Sequence, residues 1–92
     1  MGLQDMTEIQ AVASFLTGLW AQLLGRPIGP YDDFFEIGGD SLTAVRMIVE
    51  VQKAYRVEVE LESFFESPSI EKLAALIVNR QNTWSDHRSG AV

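Results

Sequence analysis

Cysteine is absent from the 92-residue sequence, and His87 is its single histidine. Without thiols the chain forms neither disulfides nor thiolate metal sites, and one imidazole is too few for a zinc site. No apolar run approaches the roughly 20 residues that span a bilayer, and the N-terminus lacks the order of a secretory signal. We therefore expect a cytoplasmic protein that has no metal centre and no membrane partner.

Basic residues are also few: seven Lys and Arg stand against thirteen Asp and Glu, for a net charge of −6. This balance argues against nucleic acid and anionic lipid as partners. The chain is long enough for one compact domain, which we expect to be monomeric, but too short for a deep catalytic cleft. Because 47% of its residues are hydrophobic, the composition is not that of a disordered chain.

Apolar residues that recur at steps of three and four predict amphipathic helices. The first helix is predicted over about residues 8–24, with Thr7-Glu8-Ile9-Gln10 as a capping box at its start and Gly25 as a left-handed cap at its end. The second is predicted from Ser41 to about Tyr55, with Asp40 as its N-cap. The residues expected in the core of these two helices are Ile9, Val12, Ala13, Leu16, Leu19, Trp20, Leu23, Ala44, Met47, Ile48, Val51 and Tyr55.

The C-terminal half predicts two further helices. Strict alternation at residues 57–61 predicts an extended connector, because one strand without a partner does not make a sheet. A short helix follows over about residues 61–66, and Ser67-Pro68 predicts the N-cap and first residue of a last helix that reaches about Arg80. The core residues expected on that helix are Ile70, Leu73, Ala74 and Ile77.

Together these elements predict an all-α fold, a small bundle of three main helices plus one short helix. The domain is expected at residues 7–80, after an N-terminal extension at 1–6. The tail at 81–92 has no period, includes Trp84, and is expected to be mobile.

A loop of about fifteen residues, from Gly25 to Gly39, separates the first two helices. Loops of this length are uncommon in small domains and are often functional. Phe34, Phe35 and Ile37 are too apolar for a free loop, so we expect them to pin it onto the helices, with one helical turn near residues 33–36. The acidic residues in and after this loop are interpreted as a solvated face: Asp32, Asp33, Glu36 and Asp40.

The segment Gly38-Gly39-Asp40-Ser41-Leu42 places a serine hydroxyl on the first turn of the second helix. That turn carries unpaired backbone N–H groups and the positive end of the helix dipole, which favour a bound or attached phosphate. The paired glycines allow a sharp turn and leave room for another protein to approach. By itself the segment is equally compatible with a structural role, because serine often caps helices and Gly-Gly is common in loops.

The wider sequence resembles the acyl and peptidyl carrier proteins, above all the thiolation domains of nonribosomal peptide synthesis. The resemblance spans about residues 8–80 and depends on the following stretches: Asp33-Phe34-Phe35-Glu36-Ile37-Gly38-Gly39-Asp40-Ser41-Leu42, Ala44, Arg46, Val57, Leu61 and Phe64-Phe65-Glu66-Ser67-Pro68-Ser69-Ile70. Ile37 stands where the family usually has leucine, a near-isosteric change. Arg56 stands where glycine is frequent, which puts the shape of the second helix's end in question.

The resemblance implies that Ser41 is esterified by 4′-phosphopantetheine from coenzyme A through a phosphopantetheinyl transferase, with Gly38, Gly39 and Asp40 as the attachment motif. It further implies that the arm's thiol holds an aminoacyl or peptidyl thioester. The partners would be an adenylation enzyme and condensation, tailoring or thioesterase enzymes. The protein itself is not the catalyst, in keeping with its lack of a catalytic base and oxyanion groups. Its contribution is tethering, which raises effective concentration at each partner's active site.

Partner recognition is expected around the arm, at Leu42, Val45 and Arg46 of the second helix and Phe65 of the short helix. An exposed apolar residue beside the attachment serine suits docking, but core packing accounts equally well for Leu42 and for Phe65 taken singly. The aromatic residues expected in the core are Phe34, Phe35 and Phe64.

The charges on the second helix bear on the kind of carrier. Arg46, Glu50 and Lys53 leave it net positive by one, whereas fatty-acid carriers have a strongly acidic second helix. A peptidyl carrier is therefore favoured over the alternative, an acyl carrier of a fatty-acid or polyketide pathway. Met1 and the lack of a linker favour a free-standing carrier over an excised domain.

Two other functions compete with the carrier. Gly39-Asp40-Ser41-Leu42 also spells the motif of the G-D-S-L esterases, in which the serine nucleophile follows a β-strand of an α/β fold. No strand-like run precedes Gly39, the adjacent Asp86 and His87 lack that family's three-residue spacing, and 92 residues are too few for that fold. The second alternative, a helical adaptor that works unmodified, predicts that Ser41→Ala is silent.

Overall fold

The computed structural model describes the backbone of residues 2–91 and the side chains of residues 7–81. Its helices, in chain order, are α1 (Gly2–Leu24), α2 (Ser41–Tyr55), α3 (Leu61–Glu66) and α4 (Ile70–Ala91). A loop at residues 25–40 joins α1 to α2, an extended connector at 56–60 leads into α3, and residues 2–91 contain no strand. Within this described range, no helix has both the length and the apolar character needed to cross a bilayer. The predicted all-α bundle of three main helices plus one short helix is confirmed.

One core holds the helices together. α4 packs mainly against α1, and α2 and α3 cover the rest of the apolar interior. The predicted stripes supply this core, with Leu16, Trp20, Met47, Val51 and Ile77 fully buried. Full burial of one such side chain contributes about 1.5–3 kcal/mol. The stripes therefore account for the bundle energetically as well as geometrically.

The ends of two helices differ from the sequence prediction. α1 begins at Gly2, so the predicted start at the Thr7-Glu8-Ile9-Gln10 capping box is wrong and Thr7 lies inside the helix. The capping pattern is outweighed because the preceding Leu3, Gln4 and Met6 are good helix formers. Likewise, the backbone of residues 81–91 continues α4 beyond the predicted end at Arg80, since Gly90 is the first helix breaker in that stretch. The side chains of Trp84 and His87 lie outside the described residues.

The start of α4 also lies later than predicted. Ser69, rather than Ser67, caps the helix: its Oγ accepts from the Lys72 N–H at 3.3 Å, and its carbonyl accepts from the Leu73 N–H at 2.9 Å. The Pro68 carbonyl instead accepts from the Phe34 N–H at 2.8 Å. The tertiary contact with the α1–α2 loop thus uses the proline that was expected to open the helix.

α2 ends at a left-handed residue. Arg56 has φ 56° and ψ 41°, and its N–H donates to the Gln52 carbonyl at the helix end. It is the one non-glycine residue with positive φ in the described backbone. Glycine, which is frequent at this position in the carrier proteins that the sequence resembles, would adopt this conformation without the steric cost that an L side chain incurs. Gly25, predicted as the left-handed cap of α1, has φ 69° as expected.

Candidate functional site

The α1–α2 loop is held to the start of α4 by two backbone hydrogen bonds. The Phe34 N–H donates to the Pro68 carbonyl at 2.8 Å, and the Glu71 N–H donates to the Pro30 carbonyl at 3.0 Å. The Ile37 N–H donates to the Asp33 carbonyl at 3.1 Å, which closes the single helical turn that was predicted near residues 33–36. The loop is therefore an ordered platform in front of α2.

Phenylalanines pin this platform to the core, as predicted. Phe34 is fully buried, with its ring centroid 4.8 Å from that of Trp20 and 5.4 Å from that of Phe64. Phe35 is half-buried, and its ring lies 5.3 Å from that of Phe65 on α3. Edge-to-face aromatic pairs of this kind contribute about 0.5–1.5 kcal/mol each beyond the area they bury. The loop before Ser41 is thus packed against both α1 and α3.

The two glycines before Asp40 serve different needs. Gly38 has φ 117°, a conformation that side-chain-bearing residues rarely adopt, and its missing side chain would meet nothing within 4 Å. At Gly39 the need is space, because an added Cβ would lie 2.2 Å from Phe34 Cε2 and 2.7 Å from the Phe34 carbonyl oxygen. The expected sharp turn is confirmed at Gly38, whereas the room at Gly39 is filled by the protein's own Phe34.

Asp40 is the N-cap of α2, as predicted. Its Oδ1 accepts from both the N–H and the hydroxyl of Thr43, each at 2.8 Å. The hydrogen bonds from Thr43 lower the pKa of the Asp40 carboxyl, and the positive charge of Arg46 lowers it further. Asp40 is therefore ionised at neutral pH, and as a structural cap it is not simply part of a solvated face.

Ser41 is the first residue of α2, and its side chain is exposed. No residue with a described side chain forms a hydrogen bond with its hydroxyl. Because Asp40 takes the capping position, a cap is not the role of Ser41. The cap uses the Thr43 N–H, and the Ala44 N–H donates to the Asp40 carbonyl. The N–H groups of Ser41 and Leu42 thus remain available at the positive end of the helix dipole.

An apolar stripe lies on the solvent face of α2, next to Ser41. It consists of Leu42, Val45 and Val49, which are 62%, 43% and 42% exposed. Their spacing of three and four residues places them on one face of the helix, opposite the buried Ala44, Met47, Ile48 and Val51. Core packing therefore does not explain Leu42.

Val49 was not among the residues predicted from the sequence for partner recognition, although it lies seven residues, or two helical turns, after Leu42 and therefore on the same face of α2. Phe65 of α3, at 44% exposure, likewise presents part of its ring to solvent. Arg46 is exposed on α2.

A family model described as a phosphopantetheine attachment site matches residues 14–77. Tyrocidine synthase 3 of Brevibacillus parabrevis is 48% identical over 63 residues, which make up 67% of this chain and 1% of the synthase. The chain thus spans a very small part of the length of this curated relative.

Two solved structures are similar over most of the chain. An active-site mutant of a peptidyl carrier protein is 39% identical with a TM-score of 0.73, over 76% of this chain and 79% of that one. A peptidyl carrier protein in complex with the phosphopantetheine transferase Sfp and coenzyme A is 38% identical with a TM-score of 0.73, over 75% of this chain and 91% of that one. The all-helical fold that these structures share is not the α/β fold that the esterase alternative requires.

Proposed function

The chain belongs to the peptidyl carrier proteins, which have a phosphopantetheine attachment site, and from this premise we propose that it carries an aminoacyl or peptidyl group on an arm attached to Ser41. The observation that carries the proposal is the Ser41 hydroxyl, exposed and unpaired among the described side chains on the first turn of α2. A hydroxyl that must enter another enzyme's active site needs this freedom. A capping serine would have to give up its hydrogen bond first.

The attachment step exchanges the phosphoanhydride linkage of coenzyme A for a phosphoester linkage to Ser41. Ser41 Oγ forms a bond to the phosphorus that bears pantetheine in coenzyme A. The bond from that phosphorus to the adenosine bisphosphate breaks, and the transferase accepts the hydroxyl proton. The chain contributes the nucleophilic oxygen and its placement, and the transferase contributes the activating groups.

The surroundings of Ser41 suit the phosphodiester that results. The free N–H groups of Ser41 and Leu42 and the helix dipole favour a negative charge at this point. The Asp40 carboxylate opposes it, but that charge is engaged by Thr43 and lies within the influence of Arg46. The arm's thiol supplies the thioester chemistry, and this chain supplies an anion-tolerant mount for the arm.

The proposed contribution to synthesis is transport without catalysis. A tethered thioester reaches successive active sites at high effective concentration, so the carrier needs no catalytic groups of its own. The proposed partners are a phosphopantetheinyl transferase, an adenylation enzyme, and condensation, tailoring or thioesterase enzymes of nonribosomal peptide synthesis.

The proposed docking surface consists of Leu42, Val45, Val49, Arg46 and Phe65. Apolar side chains that stay exposed in a folded monomer suit repeated, reversible contacts, since burying them on a partner gains free energy that water-exposed carboxylates would not supply. α2 carries two basic residues and one acidic residue, so mixed apolar and polar contacts are expected.

Intact mass spectrometry tests the proposal directly. After incubation with coenzyme A and a promiscuous transferase, the wild-type chain should gain one phosphopantetheine group, and Ser41→Ala should gain none while keeping its helical circular dichroism. Ser14→Ala, which removes an exposed serine of α1, is the matched control and should be modified like the wild type. An unmodified wild type, or a modified Ser41→Ala, would disprove the assignment.

A further inference from the structure

Asp33 organises the turn that precedes the attachment motif. Its Oδ1 accepts from the Phe35 N–H at 2.8 Å and from the Glu36 N–H at 3.2 Å. Its carbonyl oxygen accepts from the Glu36 N–H at 3.0 Å and from the Ile37 N–H at 3.1 Å. One residue thus satisfies three consecutive backbone donors. Asp33 is partly exposed, so it has this structural role in addition to its place on the predicted solvated acidic face.

The turn at Asp33 is linked to Ser41 through Phe34. It directs the Phe34 ring into the core, where Trp20 and Phe64 surround it. The Phe34 carbonyl accepts from the Gly39 N–H at 2.9 Å, and the ring lies so close to Gly39 that no Cβ fits there. The position of the Gly39 backbone, two residues before Ser41, is therefore determined by where Phe34 lies.

We propose that Asp33 is a positioning residue for the reaction at Ser41: its carboxylate holds the turn that sets the Gly39 backbone and so the direction in which the hydroxyl is presented. This inference rests on the proposed function. Four of the five residues of the proposed docking surface lie on α2, whose opposite face packs into the core, and Phe65 of α3 contacts the turn through Phe35. Loss of the Asp33 carboxylate should therefore disturb the orientation of the hydroxyl more than the docking of the carrier.

Transferase kinetics with saturating coenzyme A separate these two effects. Asp33→Ala should lower kcat by about tenfold to a hundredfold, the range expected when a reacting group is misplaced by about 1 Å, while KM for the carrier changes by less than about threefold. Asp33→Asn keeps an oxygen that accepts from the same two N–H groups and should restore kcat. Glu36→Gln, which removes a charge from an exposed residue of the same turn, should match the wild type.

Folding of each variant is checked by circular dichroism. If Asp33→Ala does not fold, Asp33→Glu, which keeps the charge but moves the acceptor by one methylene, should show the loss of kcat instead. A folded Asp33→Ala or Asp33→Glu with wild-type kcat would overturn the inference. So would an Asp33→Asn variant that stays as slow as Asp33→Ala, since charge rather than hydrogen bonding would then matter.

Amide hydrogen exchange keeps this inference distinct from the proposed function. If the wild type takes up no phosphopantetheine, the proposed function fails, but the exchange rates of the Phe35, Glu36 and Gly39 amides still test the positioning. Faster exchange in Asp33→Ala, with protection regained in Asp33→Asn, supports it. Equal exchange in all three proteins refutes it.

Discussion

Gly39→Ala adds a single methyl group, and we expect it to destabilise the protein severely. The new carbon would lie 2.2 Å from Cε2 and 2.4 Å from Cδ2 of the Phe34 ring, where carbon atoms normally approach to about 3.5 Å. The ring would have to retreat by about 1.3 Å to make room. The Phe34 carbonyl oxygen, 2.7 Å from the same position, forces a backbone shift as well.

The cost follows from what surrounds the ring. Phe34 is fully buried, and the Trp20 and Phe64 rings lie within 5.4 Å between centroids. Forcing extra volume into a packed core costs about 1–3 kcal/mol, and the displaced carbonyl weakens its hydrogen bond with the Gly39 N–H, worth about 1 kcal/mol. We therefore expect Gly39→Ala to lower the free energy of unfolding by about 2–4 kcal/mol, a large share of the 5–15 kcal/mol typical of a small domain.

Urea unfolding followed by circular dichroism measures this loss. Gly18→Ala is the matched control, because Gly18 lies inside α1 with nothing within 4 Å of an added Cβ; it should stabilise the protein by about 0.5–1 kcal/mol. In a Phe34→Leu background, Gly39→Ala should cost at least about 1 kcal/mol less than in the wild type. A cost below about 0.5 kcal/mol, or the same cost in both backgrounds, would refute steric conflict with the ring.

Three further predictions concern the ends of the helices. Asp40→Ala should lower the urea midpoint because it removes the α2 cap, whereas Ser41→Ala should change stability by less than about 0.5 kcal/mol; the reverse order would make Ser41 the cap. Arg56→Gly should raise the free energy of unfolding by about 0.5–1 kcal/mol, since glycine adopts the left-handed conformation without strain. An unchanged free energy of unfolding would show that the left-handed backbone of Arg56 is not strained. The hydrogen bond and charge of Arg80 lower the pKa of Glu60 below its ordinary value of 4.5. The ion pair between Arg80 and Glu60 therefore contributes stability above pH 4.5, and this contribution is lost as the pH falls through the lowered pKa of Glu60. The urea midpoint of Arg80→Met should depend less steeply on pH below 4.5 than that of the wild type. The same pH dependence in both proteins would show that Arg80 does not lower the pKa of Glu60.

Features that depend on residues within one or two helical turns were predictable from the sequence. The apolar stripes of α1, α2 and α4, the Asp40 cap and the start of α2 at Ser41 all appear where they were predicted. Capping and helical periodicity depend on neighbours within about four positions, and these neighbours are visible in the sequence.

Local signals misled where tertiary contacts or neighbouring propensities competed with them. The Pro68 carbonyl bonds to Phe34, 34 positions earlier, and Ser69 rather than Ser67 caps α4. Thr7 heads a regular capping pattern and yet lies inside α1, because the residues before it also favour a helix.

The sequence alone determined that a serine stands at the start of an amphipathic helix after two glycines, and that its surroundings resemble a carrier. Tertiary structure decided which side chains around that serine are free. It leaves Leu42, Val45, Val49 and Phe65 exposed. It also packs the Phe34 ring so closely against Gly39 that no side chain fits there, and it places the Asp33 carboxylate where it accepts backbone hydrogen bonds of a turn. The physical reason is that burial and steric fit depend on groups distant in the chain, and packing alone brings these groups together.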